Sequence, residues 1–528
     1  MMTISARSLL EAVALAALLV LTAWLLNRLA QCQTTAQLRD SAALALALAA
    51  TGDTSYRWSF RGAEDIVAGR VFGARDYAFE DGELVVRSSG AAFEIGLQLP
   101  RPVDLRRFPH LHISATATAP AELRIVARER LDAPARISAA ISLPAGASKL
   151  SLDLIALSWT EQAHAVPPPQ SAAMLRLRID LAAGSTLHLR TASFERIDGA
   201  QRIELAQTPR IVDPAKVVPA DSTIIYRLPL GAEAQASAIT ALAKSVDVHS
   251  MPLILLPQDG RVERQLLLRN AIFTALPAAI PIPENALAAT FAQARIEASV
   301  APPTPAAPWM ALAVYALILG ALRYRPARNP RLRALTEIVL VLVGPLWLIL
   351  GGRLDGNPDP SQLILIALTL AYAISLSLPR HWRWNGGARA WLLAAAVVAL
   401  AAIIGLIGHR SADPLRAIGA GHIARYLAWA LLQQYLICAV CTERWRSVTG
   451  NAALAAYLGA LGFALMHTPN ATLMLATLCG GLCWCALYLR ERALLPLAVS
   501  HAASALLLLA LLPPDVLLSA EVGVRFFQ

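Results

Sequence analysis

Long apolar runs stand at both ends of the sequence, and a region in which apolar and polar residues alternate lies between them. The first run covers residues 8–30, with Arg7 before it and Arg28 near its end, and it is long enough to span a bilayer. A cleaved signal peptide has a shorter apolar core that ends at a small-residue cleavage site. We therefore predict an uncleaved signal-anchor helix within residues 1–30.

The alternating pattern belongs to residues 51–197. Leu175, Leu177 and Ile179, for example, are separated by single arginines. A period of two is that of a strand with one buried face. Short runs of this kind, divided by Gly, Pro and Asp turns, predict an antiparallel all-β sandwich of the jelly-roll type.

Residues 198–300 have a different pattern and predict either a small α/β unit or a linker. Apolar runs predict strands at Ile224–Leu228 and Leu253–Leu256, and the stretches 232–246 and 261–276 predict helices. We expect this region to lead the chain back to the membrane.

Apolar segments make up most of residues 309–512, which we expect to form a bundle of about eight transmembrane helices. The segments cover residues 309–323, 334–352, 361–378, 390–408, 424–442, 451–467, 471–489 and 494–512.

Arginines mark every second loop of this region. The basic loops carry Arg323, Arg325, Arg328, Arg331, Arg333, Arg380, Arg383, Arg389, Arg444, Arg446, Arg490 and Arg492, whereas the loops between them carry Arg353, Arg410 and Arg416. Because short basic loops stay in the cytoplasm, this bias places the N-terminus inside and residues 31–308 outside. The predicted fold class is a multi-domain, multi-pass protein of a bacterial inner membrane with an extracytoplasmic β-sandwich.

Composition supports a membrane protein. The 528 residues are 56% hydrophobic and 16% charged, which is too little charge to cover a soluble surface of this length. The net charge of +10 is explained by arginines in short loops, so we expect no nucleic-acid partner. None of the six cysteines has the spacing of a zinc site, and we expect no metal and no cofactor.

Strongly polar residues inside predicted spans are costly, so they mark function more often than chance. Gln433 and Gln434 lie mid-span, His467 ends the segment 451–467, and His501 lies within the last span. Each also has a plain structural interpretation: the glutamines can bond neighbouring helices, and a buried histidine can bond a backbone carbonyl.

Two further residues follow the same geometry. Phe463 is four residues before His467 and so shares its helical face, while Asn470 follows at the end of the span, where it could also cap a helix. Between the histidines, Ala476 and Gly480 form a small-x-x-x-small pair that predicts a close helix approach.

The order of these residues resembles the CPBP family, which includes the type II CAAX prenyl endopeptidases. The family pattern is Glu-Glu-x-x-x-Arg, then Phe-x-x-x-His, then His-x-x-x-Asn, and the resemblance covers roughly residues 424–510. Phe463, His467 and His501 match it. The sequence departs from the family where Gln433 and Gln434 replace the paired glutamates; in addition, Cys438 replaces the arginine and Ala505 the final asparagine.

The resemblance implies an intramembrane peptidase with His467, His501, Gln433 and Gln434 as catalytic residues, and it implies substrate binding by Phe463 and Asn470. In the family, a glutamate with a histidine activates the water. A glutamine cannot take a proton near neutral pH, so one histidine would have to be the base. Glu337 and Glu443 lie near the predicted cytoplasmic side, and neither is an obvious replacement.

Three functions therefore stay open. The first is a peptidase that cuts a membrane-anchored protein or peptide in the lipid bilayer, with the sandwich recognising the substrate. The second is an inactive pseudoprotease that binds transmembrane or lipid-linked partners. The third is a glycan-binding envelope protein.

Overall fold

The computed structural model divides the chain into two compact units. The first, here called the helical unit, comprises Met1–Thr34, Gly260–Arg264 and Pro303–Gln528, and the second, the β-rich unit, comprises Thr35–Asp259 and Gln265–Pro302. The structure describes residues 6–51, 54, 56–130, 133–197, 203–205, 210–213, 224–246, 251–257, 261–298, 307–350, 360–376, 382–410 and 419–527. Arg353, Arg380 and Arg416, which contribute to the loop charges above, lie outside these residues.

Two antiparallel sheets dominate the β-rich unit. Its strands are β1 Arg57–Trp58, β2 Ile66–Phe72, β3 Tyr77–Glu80, β4 Glu83–Arg87, β5 Phe93–Leu97, β6 Val103–Asp104, β7 His110–Ala117, β8 Ala121–Arg128, β9 Arg136–Ser138, β10 Ile141–Leu143, β11 Gly146–Asp153, β12 Trp159–Glu161, β13 His164–Val166, β14 Ser171–Ala172, β15 Met174–Leu181 and β16 Thr186–Glu195. One sheet has the order β11-β7-β16-β4-β3 with β1 beside β16, and the other has β13-β12-β9-β8-β15-β5-β2 with β10 beside β8.

The two sheets share one apolar core. Trp58 and Leu84 enter it from the first sheet, and Phe93 and Trp159 enter it from the second. Strand β15 illustrates how each strand contributes to this core, because its buried positions alternate with positions that are half-buried or exposed. The period of two in the sequence thus produces the sandwich.

A smaller parallel sheet follows in the same unit. Its strands β17 Arg210–Val212, β18 Ile224–Arg227, β19 Leu253–Leu256 and β20 Ile280–Pro283 pair in chain order, and the helices α2 Ala232–Ser245, α3 Val262–Ala275 and α4 Leu287–Glu297 accompany them. Strand β19 is buried at all four positions, as expected for a parallel strand covered on both faces.

The first helix is longer than the predicted span. Helix α1 runs from Ala6 to Thr51, so the segment after residue 30 is also helical. This segment is rich in Ala and Leu and has no Gly or Pro, so its sequence does not break the helix. In the β-rich unit, Ala43 and Leu46 pack into one core with residues of β18 to β20.

Nine further helices form the helical unit within the described residues. They are α5 Ala307–Tyr324, α6 Pro330–Leu350, α7 Pro360–Leu376, α8 Ala388–Gly408, α9 Ala420–Gln434, α10 Glu443–Thr449, α11 Ala452–Leu465, α12 Ala471–Glu491 and α13 Leu495–Leu511. In the described part of the chain, four helices are long and apolar enough to cross a membrane, namely 330–349, 388–408, 423–449 and 471–491. The chain is therefore a multi-pass membrane protein.

One of these helices changes its winding midway. Residues Tyr435–Thr442 form a π-helix that joins α9 to α10 without a break. The hydroxyl of Thr442 bonds the carbonyl of Ile437, five residues before it, at 2.8 Å. Short π segments inside α-helices occur frequently at functional sites.

Helices α11 and α12 approach closely at glycines. A Cβ on Gly481 would lie 3.1 Å from the backbone of Ala460, and one on Gly459 would lie 3.1 Å from the sulfur of Cys485 in α12. The predicted pair is not the main point of contact, because a Cβ on Gly480 would meet only Trp484 of its own helix. The approach is shifted by one residue, to Gly481.

Candidate active site

Gln434 and His501 meet in the interior of the helical unit. The amide Nε2 of Gln434, at the end of α9, lies 3.3 Å from Nδ1 of His501 in α13, and both side chains are buried. Cys438 donates to the amide oxygen of Gln434 at 3.1 Å, which holds the amide group from its other side. Since the amide nitrogen can only donate, Nδ1 of His501 accepts, and the ring hydrogen of the neutral imidazole is on Nε2.

His467 has the opposite arrangement. Its Nδ1 lies 2.8 Å from the carbonyl oxygen of Phe463, one helical turn earlier. A carbonyl can only accept, so Nδ1 carries the hydrogen and Nε2 keeps a lone pair. The two histidines therefore offer different functions through Nε2: His467 an acceptor and His501 a donor.

Aromatic rings hold the two histidines in place. The ring of Phe463 lies edge-on to both, with centroid distances of 4.8 Å to His467 and 5.3 Å to His501. Trp484 from α12 covers His501 at 4.7 Å. Phe463 is fully buried, so in this structure it separates and orients the histidines.

Two consecutive hydrogen bonds hold the side chain of Trp484 in place. Its indole nitrogen donates to the hydroxyl of Ser500 at 3.2 Å, and that hydroxyl donates to the carbonyl of Ala394 in α8 at 2.9 Å. Sequence reasoning missed Ser500 and Trp484. The available signal was the position of Ser500, immediately before His501 on an apolar helix.

A cavity of about 740 Å³ lies beside this cluster. Its walls come from α6, α7, α9, the end of α11, the end of α13 and the segment that follows α13, here called the tail segment (residues 513–527). Gln433 and His467 line it, together with Arg425 and Tyr426. The side chains of Gln433 and Gln434 thus have different surroundings: Gln433 lines the cavity, and Gln434 bonds His501 behind the cavity wall.

A carboxylate that sequence reasoning did not consider also lines this cavity. It is Glu521, in the tail segment, after the last predicted span. The candidates considered from sequence lie elsewhere: Glu337 pairs with Arg333 at 2.9 Å and Arg444 at 2.7 Å, and Glu443 pairs with Arg492.

Asn470 occupies the start of α12. Its side-chain oxygen accepts from the backbone nitrogen of Leu473 at 3.0 Å, so it is the N-cap of that helix. Its amide nitrogen donates to the carbonyls of Ser519 at 2.8 Å and Glu521 at 3.3 Å. Substrate binding by Phe463 and Asn470 stays a prediction; in the structure, both side chains are buried and bound to protein groups.

In the described part of the chain, no group of three or more His, Cys, Asp or Glu side chains is arranged to hold a metal ion. The polar side chains at the cavity include the imidazole of His467, the amide of Gln433, the phenol of Tyr426, the guanidinium of Arg425 and a carboxylate.

Comparison with known families agrees with this location. Residues 423–507, which contain both glutamines and both histidines, match the family described as "Type II CAAX prenyl endopeptidase Rce1-like". The resemblance predicted from the motif residues is thereby confirmed for this segment. None of the curated proteins matches the chain.

The solved structures that are similar to this chain include carbohydrate-binding modules. The family 11 module of the cellulase Lic26A-Cel5E of Clostridium thermocellum is 8% identical, with a TM-score of 0.20, and the match covers 24% of this chain and 87% of that one. The family 11 module from the same organism in complex with a mixed-linked tetrasaccharide is 8% identical, with a TM-score of 0.22, covering 28% and 99%. At these scores the likeness does not bear on what the sandwich binds.

Proposed function

We propose that the helical unit is an intramembrane peptidase that hydrolyses a peptide bond of a membrane-anchored protein or peptide. The observation that supports this most directly is the cavity, which is lined by His467 and Gln433 and backed by the His501–Gln434 pair. These four residues lie within the segment that matches a family of endopeptidases.

His467 is proposed to hold the attacking water. Its Nδ1–H is engaged by the carbonyl of Phe463, so the lone pair of Nε2 accepts a hydrogen bond from a water in the cavity. Gln433 lines the same cavity, and its amide orients this water or the scissile carbonyl.

His501 is proposed to stabilise the negative charge that develops on the carbonyl oxygen. Its Nε2–H is a donor because Gln434 occupies Nδ1. One pre-oriented donor of this kind contributes on the order of 100- to 1,000-fold in rate at other acyl-transfer sites. Aromatic contacts with Phe463 and Trp484 keep the ring from turning.

We also propose that substrates reach the cavity from the extracytoplasmic side. Its walls include the second half of α6, the beginning of α9, the end of α11 and the tail segment. The arginine bias of the loops assigns these helix ends to the outer face. The β-rich unit is predicted on the same side of the membrane, where it would recognise the protein to be cut.

A second function is favoured by the glutamines. Gln433 and Gln434 cannot exchange protons as the paired glutamates of the family do. A pseudoprotease would use the same cavity to bind a transmembrane helix or a lipid-linked ligand without cutting it.

Proteolysis in membranes distinguishes the two. Wild type, His467→Ala and His501→Ala are expressed in a bacterial host that lacks its own copy, and shortened termini in the membrane proteome are compared. His409→Ala is the matched control, because His409 bonds the carbonyl of Leu511 and does not line the cavity.

We expect a cleaved product with wild type and with the His409 variant, and its loss with the other two. The same set of termini in all four strains would contradict the peptidase and leave the binding function.

A further inference from the structure

Glu521 differs from the other residues of the proposed site, because it comes from outside the matched segment 423–507. Among the described residues that line the cavity, Glu521 alone has a carboxylate. Gln433 and His467 line the same cavity, so the tail segment brings an acidic group to the place where these two residues provide an amide and an imidazole.

The backbone at Glu521 is fixed to the turn that carries His467. Asn470 donates to the carbonyls of Ser519 and Glu521, and Gly523 donates its backbone N–H to the carbonyl of Thr468 at 3.0 Å. Three hydrogen bonds therefore connect the tail segment with residues 468–470, which directly follow His467.

The tail segment also packs closely against α6 at Gly523. Gly523 has φ of +60°, and a Cβ there would lie 3.0 Å from the carbonyl oxygen of Ile349. Only glycine fits this combination of conformation and space without strain. Contacts on both sides of Glu521 thus fix its backbone, while its side chain is exposed.

We infer that Glu521 is the general base of the proposed peptidase, in place of the glutamates that are absent from α9. The inference rests on the proposed peptidase function. The carboxylate takes one proton from the water while the water oxygen bonds to the scissile carbonyl carbon. It returns this proton to the amide nitrogen as the C–N bond breaks, so the products are a carboxylic acid and an amine and no other reactant is consumed.

Asn470 then has a defined function in the reaction. It donates to the backbone carbonyl of Glu521, so it is a positioning residue that holds the backbone from which the carboxylate extends. The one side chain caps α12 and holds the tail segment, which couples the His467 turn to the base.

The test uses the full-length protein in membranes and the cleaved product of the experiment above. Glu521→Gln keeps the size of the side chain and removes the base. Asp515→Asn is the matched control, because Asp515 lies in the same tail segment but pairs with Arg410 and does not line the cavity. The double variant Gln433→Glu/Glu521→Gln returns a carboxylate to the cavity from α9.

General acid–base groups contribute about 100- to 10,000-fold, so we expect Glu521→Gln to slow product formation at least ~100-fold. The Asp515 variant should match wild type, and the double variant should recover activity above Glu521→Gln alone. A merely structural defect of the tail segment would not be repaired by a carboxylate on another helix.

Wild-type rates in Glu521→Gln would overturn the inference and leave the peptidase intact. Loss of activity without recovery in the double variant would also overturn it, since the carboxylate would then not be the missing group. No product from wild type in the first experiment would overturn both the peptidase function and this inference.

Discussion

The amide of Gln434 donates to Nδ1 of His501 at 3.3 Å, across the interface of α9 and α13. In the family this position carries a glutamate, whose carboxylate would accept a hydrogen from the ring rather than give one. The exchange of glutamate for glutamine therefore reverses the direction of the hydrogen bond and moves the hydrogen of His501 to Nε2.

The two histidines should accordingly be opposite tautomers. Nitrogen NMR of the histidine-labelled protein should show His501 as the Nε2–H form and His467 as the Nδ1–H form, because their Nδ1 partners are a donor and an acceptor. Gln434→Met should change the signals of His501 and leave those of His467 as they are. Identical tautomers for both residues would contradict the assigned geometry.

The variant Asn470→Asp should keep the cap of α12 and remove the two hydrogen bonds that hold the tail segment. Aspartate caps a helix about as well as asparagine, but it cannot donate to the carbonyls of Ser519 and Glu521. We expect product formation to fall about 10-fold or more, and the apparent Tm in detergent to fall as well, because a buried carboxylate would face two carbonyl oxygens that have lost their donor. Adding Gln433→Glu should restore part of the activity, because Asn470 acts through Glu521; no restoration would mean that Asn470 acts in some other way.

The opposite end of the helical unit provides a test of stability. Arg444 bonds Glu337 at 2.7 Å and also the carbonyls of Val440 and Leu376, and the side chains of Arg444 and Glu337 are only 13% and 12% exposed. Removing one partner of such a pair costs about 3 kcal/mol, so Arg444→Met should lower the apparent Tm by roughly 6–12 °C.

Arg333→Met is the control for that prediction. Arg333 also pairs with Glu337, but it is 49% exposed, so its loss should cost less than about 1 kcal/mol. Equal shifts in Tm for the two variants would show that the buried Arg444–Glu337 pair contributes no more to stability than the exposed Arg333–Glu337 pair.

Lysine labelling tests the orientation. The sequence has lysine only at positions 149, 216 and 244, all within the region predicted outside. A membrane-impermeant amine reagent added to intact spheroplasts should therefore modify Lys149 and Lys244, which are exposed in the structure.

Arg328→Lys places a lysine in a predicted cytoplasmic loop without changing the charge. This lysine should react only after the membrane is opened. The reverse pattern would mean that the cavity faces the cytoplasm.

Sequence patterns predicted helices and strands correctly where buried positions recur with a regular period. Each of the eight apolar segments after residue 309 is largely helical in its described residues, and the alternating runs of residues 51–197 became strands. The number of membrane spans and the anchoring role of residues 1–30 stay predictions. Helix α1 continues beyond the predicted span, because a change from strongly apolar residues to an Ala-rich stretch does not end a helix.

The candidate site was predicted less completely. His467 and His501 stood out because a titratable residue in an apolar span is rare. Glu521 did not, because it lies in a short irregular segment whose path depends on contacts with Asn470 and α6 rather than on any period. The exact glycine at the α11–α12 approach was also missed, since α12 is apolar on several faces and its rotation is set by packing.

The π-helix at Tyr435–Thr442 has a consequence for how this part of the chain tolerates length changes. A π turn uses more residues per revolution than an α turn, so it is equivalent to one inserted residue that the helix absorbs without breaking. It sets the rotational phase between two ends of one helix: Gln434 points at His501 on one side, and Arg444 points at Glu337 on the other. Deleting a single residue here would leave a continuous helix but turn one of these two contacts away from its partner.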